Sequence, residues 1–182
     1  TSLGGILTML TAATQGQLVA AAILYDIGPE VDPVGLARIS TYVGKAPPAR
    51  TWDEAVAIVR STYEFAVPGL SDEQWLDYTR RSYTDAGGVP RLDMDPNIGE
   101  AVRAAPAAAA PDLWPVFDTL QPVPTLVLRG ATSDILSAAT LDRMQARKPD
   151  LVRIEVPNRG HVPLLDEPEA VTAIDAFLAA VA

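Results

Sequence analysis

Pro124-Thr125-Leu126-Val127-Leu128-Arg129-Gly130 is an apolar run stopped by a glycine. Residues 131–136 read as a loop, Ser137 as the cap of a helical pattern reaching Lys148, and Leu151-Val152-Arg153-Ile154-Glu155-Val156 as another strand. A run of four to eight apolar residues bounded by turn signals suits a strand buried on both faces, and Ser is a favoured N-cap. Asp166-Glu167-Pro168-Glu169 then opens a last helix. Asp166 is expected as its cap, Pro168 lies in its first turn, and Val171, Ile174, Phe177, Leu178 and Val181 form its apolar stripe. Strand, helix, strand, helix with right-handed crossovers makes a parallel sheet and an α/β fold.

Working back towards the amino end, Leu18 to Tyr25 is a second buried apolar run, ended by Asp26-Ile27-Gly28-Pro29. Leu3, Ile6, Leu7 and Leu10 recur at helical spacing, with Thr1 or Ser2 available as a cap; the Gly4-Gly5 pair lowers helix propensity and calls for a close-approach reason. Between Pro33 and Leu120 the character changes to short helices with no strong strand. Thr51-Trp52-Asp53-Glu54 and Ser71-Asp72-Glu73-Gln74 fit the capping box, Gly87-Gly88 and Asp95-Pro96 mark turns, and the alanine-rich tract from Ala104 to Pro111 reads as a linker or close crossing.

The composition of the 182 residues narrows the function. Nearly half are hydrophobic, enough for a real core. The formal charge is -9 with no basic patch, which argues against nucleic acid or an anionic membrane surface as partner. The absence of cysteine excludes a thiolate nucleophile or disulfide within the chain, and a single histidine speaks against a histidine-rich metal site. No metal or cofactor is expected. With no long apolar run and no basic flank at the amino end, a cytoplasmic location is expected.

Three polar residues occupy comparable places. Ser2 precedes a helix, Asp134 lies on the loop after one strand, and His161, the one histidine, lies on the loop after the next. A serine hydroxyl is a weak nucleophile until an imidazole takes its proton, and the imidazole needs a carboxylate to fix its tautomer. Each residue taken singly has a plainer reading: Ser2 as a helix cap, Asp134 as a turn aspartate, His161 as a loop residue. Asp26 stands at the end of an earlier strand.

Thr1-Ser2-Leu3-Gly4-Gly5, Leu128-Arg129-Gly130-Ala131-Thr132-Ser133-Asp134, and Asn158-Arg159-Gly160-His161 followed by Asp166-Glu167-Pro168 together resemble the α/β-hydrolase fold family over nearly the whole chain. The first segment matches the family's G-x-S-x-G elbow from its second position onward. The resemblance implies Ser2 as nucleophile, Asp134 as orienting acid with Asp26 as the alternative acid position, His161 as general base and acid, and the Leu3 amide as an oxyanion-hole donor. It also implies a hydrolase core of residues 1–32 and 121–182, with 33–120 as a helical cap. In that cap Trp52, Trp75 and Trp114 are packing residues or pocket walls.

Because the family's elbow follows its fifth strand, the resemblance implies a preceding segment of on the order of 100 residues as a partner of this chain. The expected activity is hydrolysis of a small ester, lactone or related carbonyl substrate through an acyl-enzyme. Two other readings stay open: a non-catalytic hydrolase-fold piece that binds a ligand or partner, and an amino-terminal-nucleophile hydrolase using Thr1.

Overall fold

The computed structural model describes the chain except residues 46, 96, 105–110, 162 and 163, and the side chains of 101–104. The expected turn at Pro96 and most of the alanine-rich tract therefore lie outside the described residues. In chain order the elements are α1 (Leu3–Gln15), a 3-10 turn (Gly16–Leu18), β1 (Ala22–Tyr25), α2 (Pro33–Tyr42), α3 (Trp52–Tyr63), α4 (Asp72–Arg80), β2 (Tyr83–Asp85), β3 (Pro90–Leu92), α5 (Asn97–Ala104), α6 (Trp114–Asp118), β4 (Thr125–Gly130), α7 (Ala138–Arg147), β5 (Val152–Val156) and α8 (Pro168–Val181). They fall into two compact units: Thr1–Gly35 with Ala110–Ala182, and Leu36–Ala109.

The first unit is built on a parallel sheet of order β1-β4-β5. Side chains alternate across a strand, so Tyr25, Leu128 and Ile154, which lie in register, share one face. There they meet Ala170, Ala173 and Phe177 of α8. The opposite face carries Arg153, ion-paired to Asp142 of α7, and Leu24, which lies against α1. Central β4 is buried along its whole length, as the apolar run Leu126-Val127-Leu128 at its centre requires.

Three helix starts follow the expected chemistry. The Thr51 hydroxyl accepts the Glu54 N–H, Ser137 accepts Thr140 N–H, and Ser71 with Gln74 forms a reciprocal capping box. At residue 51 the box is only half made, because the Glu54 carboxylate accepts from the Arg50 N–H instead. Four expectations are corrected. Ser2 makes no side-chain cap on α1, and α8 is entered from Glu167, not Asp166. The run from Leu18 is extended only from Ala22, because a 3-10 turn closes Val19 N–H onto the Gly16 carbonyl. An antiparallel pair, β2 with β3, stands where no strong strand was expected; the Gly87-Gly88 turn joining it has φ of 72° and 88°, which glycine adopts without strain.

The second unit, residues 36–109, contains α3, α4, α5 and this hairpin. Its centre is aromatic. Fully buried Trp75 meets Tyr78 edge-on at 5.7 Å between ring centroids, and Tyr78 and Tyr42 flank Tyr63.

Candidate active site

Ser2 immediately precedes α1 and lies beside the end of β1. Its backbone is at φ 47°, ψ -124°, a sparsely populated conformation for a non-glycine residue, and its N–H donates to the Tyr25 carbonyl at 3.2 Å. The turn needs room beside it. A Cβ on Gly5 would lie 2.3 Å from Ile27 Cγ2, so Gly5 supplies the close approach, while Gly4 has open space around it. The helix begins at once after Ser2, leaving the Leu3 N–H among its first donors, which have no intrahelical acceptor.

His161 is held by a loop that folds back onto the end of β4. Ala131 and Thr132 N–H donate to the carbonyls of Val156 and Arg159, and Asn158 takes the left-handed conformation at φ 55°. Gly130 lies directly beneath: a Cβ there would sit 2.5 Å from the Gly160 oxygen and 2.6 Å from the Arg159 oxygen. On the far side, the Glu167 carboxylate accepts from Leu164 N–H, Leu165 N–H and the Arg159 guanidinium. The Tyr25 hydroxyl also accepts from Leu165 N–H, and burial, then the charge on Glu167, raises its pKa far above the ordinary tyrosine value.

These supports bring His161 Nε2 to 3.2 Å from Ser2 Oγ and His161 Nδ1 to 2.7 Å from Asp26 Oδ2. The carboxylate on the imidazole is thus Asp26, the alternative position, and not Asp134. Asp26 directly follows β1, is fully buried, and has φ 52°, which turns its side chain across the strand ends towards the histidine loop. Its Oδ1 accepts the Gly130 N–H at 2.9 Å, and its Oδ2 accepts the Ser133 hydroxyl at 2.6 Å. Asp134 is partly exposed, and its backbone carbonyl packs against Gly35, where a Cβ would come within 2.1 Å.

The tryptophans take packing positions. Trp114 lies under the guanidinium groups of Arg143 and Arg147, at 4.3 and 4.9 Å, and donates Nε1–H to Glu30. Trp75 is in the aromatic centre of the second unit, and Trp52 lies beneath Arg80 at 5.7 Å. Sequence reasoning missed the supporting residues: Ser133, Arg159 with Glu167, and Arg129. The buried Arg129 guanidinium ties the carbonyls of Leu136 and Ala131 to Glu155. A buried arginine at a strand end was the one visible signal, since such a charge is rarely buried unless paired.

A serine with a strained backbone at a helix start, with an imidazole and a carboxylate delivered to it from neighbouring strand ends, is the arrangement of one fold family. Residues 1–174 match the model of the alpha/beta hydrolase family, and the chain belongs to that family. It is 30% identical to a 3-hydroxybutyrate-oligomer hydrolase of Cupriavidus necator, over 97% of this chain and 62% of that protein. Among solved structures it resembles an alpha/beta hydrolase from Novosphingobium aromaticivorans, with TM-score 0.89 and 44% identity over 98% of this chain and 63% of that one. It also resembles a putative hydrolase from Rickettsia typhi, with TM-score 0.83 and 26% identity over 99% and 60%. The chain therefore spans less than two thirds of the length of these relatives. No helix among the described residues is long and apolar enough to cross a membrane.

Proposed function

We propose that the protein is a serine hydrolase of small esters or lactones in which Ser2, His161 and Asp26 form the proton relay. The observation that carries this reading is the continuous contact from Ser2 Oγ through the imidazole to the Asp26 carboxylate. Asp26 accepts Nδ1–H, which leaves Nε2 as the base facing the serine. Ser2 Oγ attacks the carbonyl carbon and its proton passes to Nε2. The Leu3 N–H, at the positive end of α1, stabilises the oxyanion. Collapse expels the alcohol, which takes the proton from Nε2 and leaves an acyl-serine. Water then adds with His161 again as base, releasing the acid and restoring the serine hydroxyl.

The similarity to a 3-hydroxybutyrate-oligomer hydrolase makes short oligoesters of 3-hydroxy acids the first substrates to try beside simple esters. In this reading residues 33–120 are the family's cap. The test is turnover of p-nitrophenyl acetate and a 3-hydroxybutyrate dimer by the full-length protein. Ser2→Ala is expected to abolish both activities; undiminished turnover would favour a different nucleophile, Thr1 being the alternative, and no turnover by the unaltered protein would favour a non-catalytic binding role.

A further inference from the structure

Ser133 lies on the turn after β4, its N–H donating to the Gly130 carbonyl at 2.9 Å. Its hydroxyl oxygen accepts two backbone N–H groups, from Ile135 and Leu136, each at 3.1 Å. Both lone pairs are thereby occupied, so the hydroxyl proton has one direction left, and Asp26 Oδ2 stands there at 2.6 Å. The same turn presents the Gly130 N–H to Asp26 Oδ1 at 2.9 Å. With His161 Nδ1–H, the carboxylate is gripped by three donors and cannot rotate without breaking one of them. A hydroxyl in this state is a one-way donor: it can stabilise the ionised acid and cannot take a proton from it.

We infer that Ser133 is a positioning residue that fixes the orientation of the Asp26 carboxylate and, through it, the ring plane and tautomer of His161. The inference rests on the Ser2-His161-Asp26 reading. It assigns a purpose to the turn between β4 and α7: the sequence pattern suggested this turn as the source of the acid, and it instead supplies the group that holds an acid from the neighbouring strand. The neighbouring Asp134 has no part in this assignment.

The experiment compares Ser133→Ala, Ser133→Cys and Ser133→Thr in the full-length protein with Ser2→Ala run alongside. Loss of one charge-assisted hydrogen bond from the orienting acid is expected to lower kcat by roughly tenfold in the Ala and Cys variants, with KM unchanged within about twofold. Cys fills the same space with a poor donor, so it carries the test if the Ala variant fails to fold. Thr keeps the hydroxyl and is expected to recover kcat to within about threefold. The downfield proton resonance of His161 Nδ1–H, assigned by its loss in His161→Gln, is expected to shift or broaden in the Ala and Cys variants and to stay in place in Thr. Ala and Cys variants with unaltered kcat and an unmoved resonance, beside an inactive Ser2→Ala, would overturn the inference while leaving the relay intact. A lowered kcat with an unmoved resonance and no rescue by Thr would reduce Ser133 to a structural role. Wild-type turnover in Ser2→Ala would remove the relay itself, and this inference with it.

Discussion

Gly130→Ala tests the way the site is held together. The added methyl would sit 2.5 Å from the Gly160 oxygen and 2.6 Å from the Arg159 oxygen, both backbone atoms of the loop that ends in His161. A comfortable carbon–oxygen contact needs close to an ångström more than that, and since no flexible side chain is available to yield, the histidine loop must move by about 0.5–1 Å. The displaced imidazole is the group that stands 3.2 Å from Ser2 Oγ. Misplacement by ~1 Å costs on the order of 10²-fold in a positioned reaction, so kcat for p-nitrophenyl acetate is expected to fall by about 30- to 100-fold with a smaller change in KM. The matched control is Gly28→Ala, whose methyl would meet the Met144 sulfur at 2.8 Å and Leu136 Cδ1 at 3.0 Å, both side-chain atoms able to repack. Overpacking there is expected to cost about 1–3 kcal/mol of stability, read as a lower Tm, with kcat nearly unchanged. A Gly130→Ala variant with wild-type kcat, folded by circular dichroism, would refute the claim that close packing of the two loops sets the histidine.

The two acids separate cleanly. Asp26→Asn, which keeps the shape but removes the charge from His161 Nδ1, is expected to lower kcat by on the order of 10³- to 10⁴-fold, whereas Asp134→Asn should retain activity within about threefold; steady-state kinetics on the pair reads this directly. At high pH, burial holds the Tyr25 and Tyr63 phenols above the ordinary tyrosine pKa, with Glu167 adding to the effect at Tyr25 and the Tyr42 hydroxyl at Tyr63. A folded pKa above the unfolded one means a stabilising contribution that is complete below the unfolded value of about 10 and lost as pH rises beyond it. Thermal melts between pH 9 and 12 are therefore expected to show Tm falling above about pH 10, with late-ionising tyrosines in the 295 nm absorbance titration.

The α/β character was legible because the apolar run Leu126-Val127-Leu128 in β4 stands between a proline and a glycine, and because Ser137 and Pro168 mark helix starts by local chemistry. The β2–β3 hairpin was not, since three-residue strands containing Arg91 and Asp85 carry too little alternation to register. Ser2 and His161 could be placed by the elements around them. The choice of acid could not. Asp26 and Asp134 both follow buried strands, and what separates them is the left-handed backbone at Asp26 and the donors on residues 130 and 133, which converge only once β1 and β4 are paired. The serine's strained backbone was legible only through the resemblance of residues 1–5 to the elbow motif, because by local pattern alone Ser2 looks like an ordinary helix cap.

The most direct test is the location of a covalent adduct. The full-length protein is treated with a fluorophosphonate and its peptides are mapped by mass spectrometry, in parallel with His161→Ala and Asp26→Asn. The account predicts phosphonylation on the Ser2 hydroxyl, lost in His161→Ala and slowed by orders of magnitude in Asp26→Asn. An adduct on Thr1, or labelling of Ser2 at an unchanged rate without His161, would contradict it.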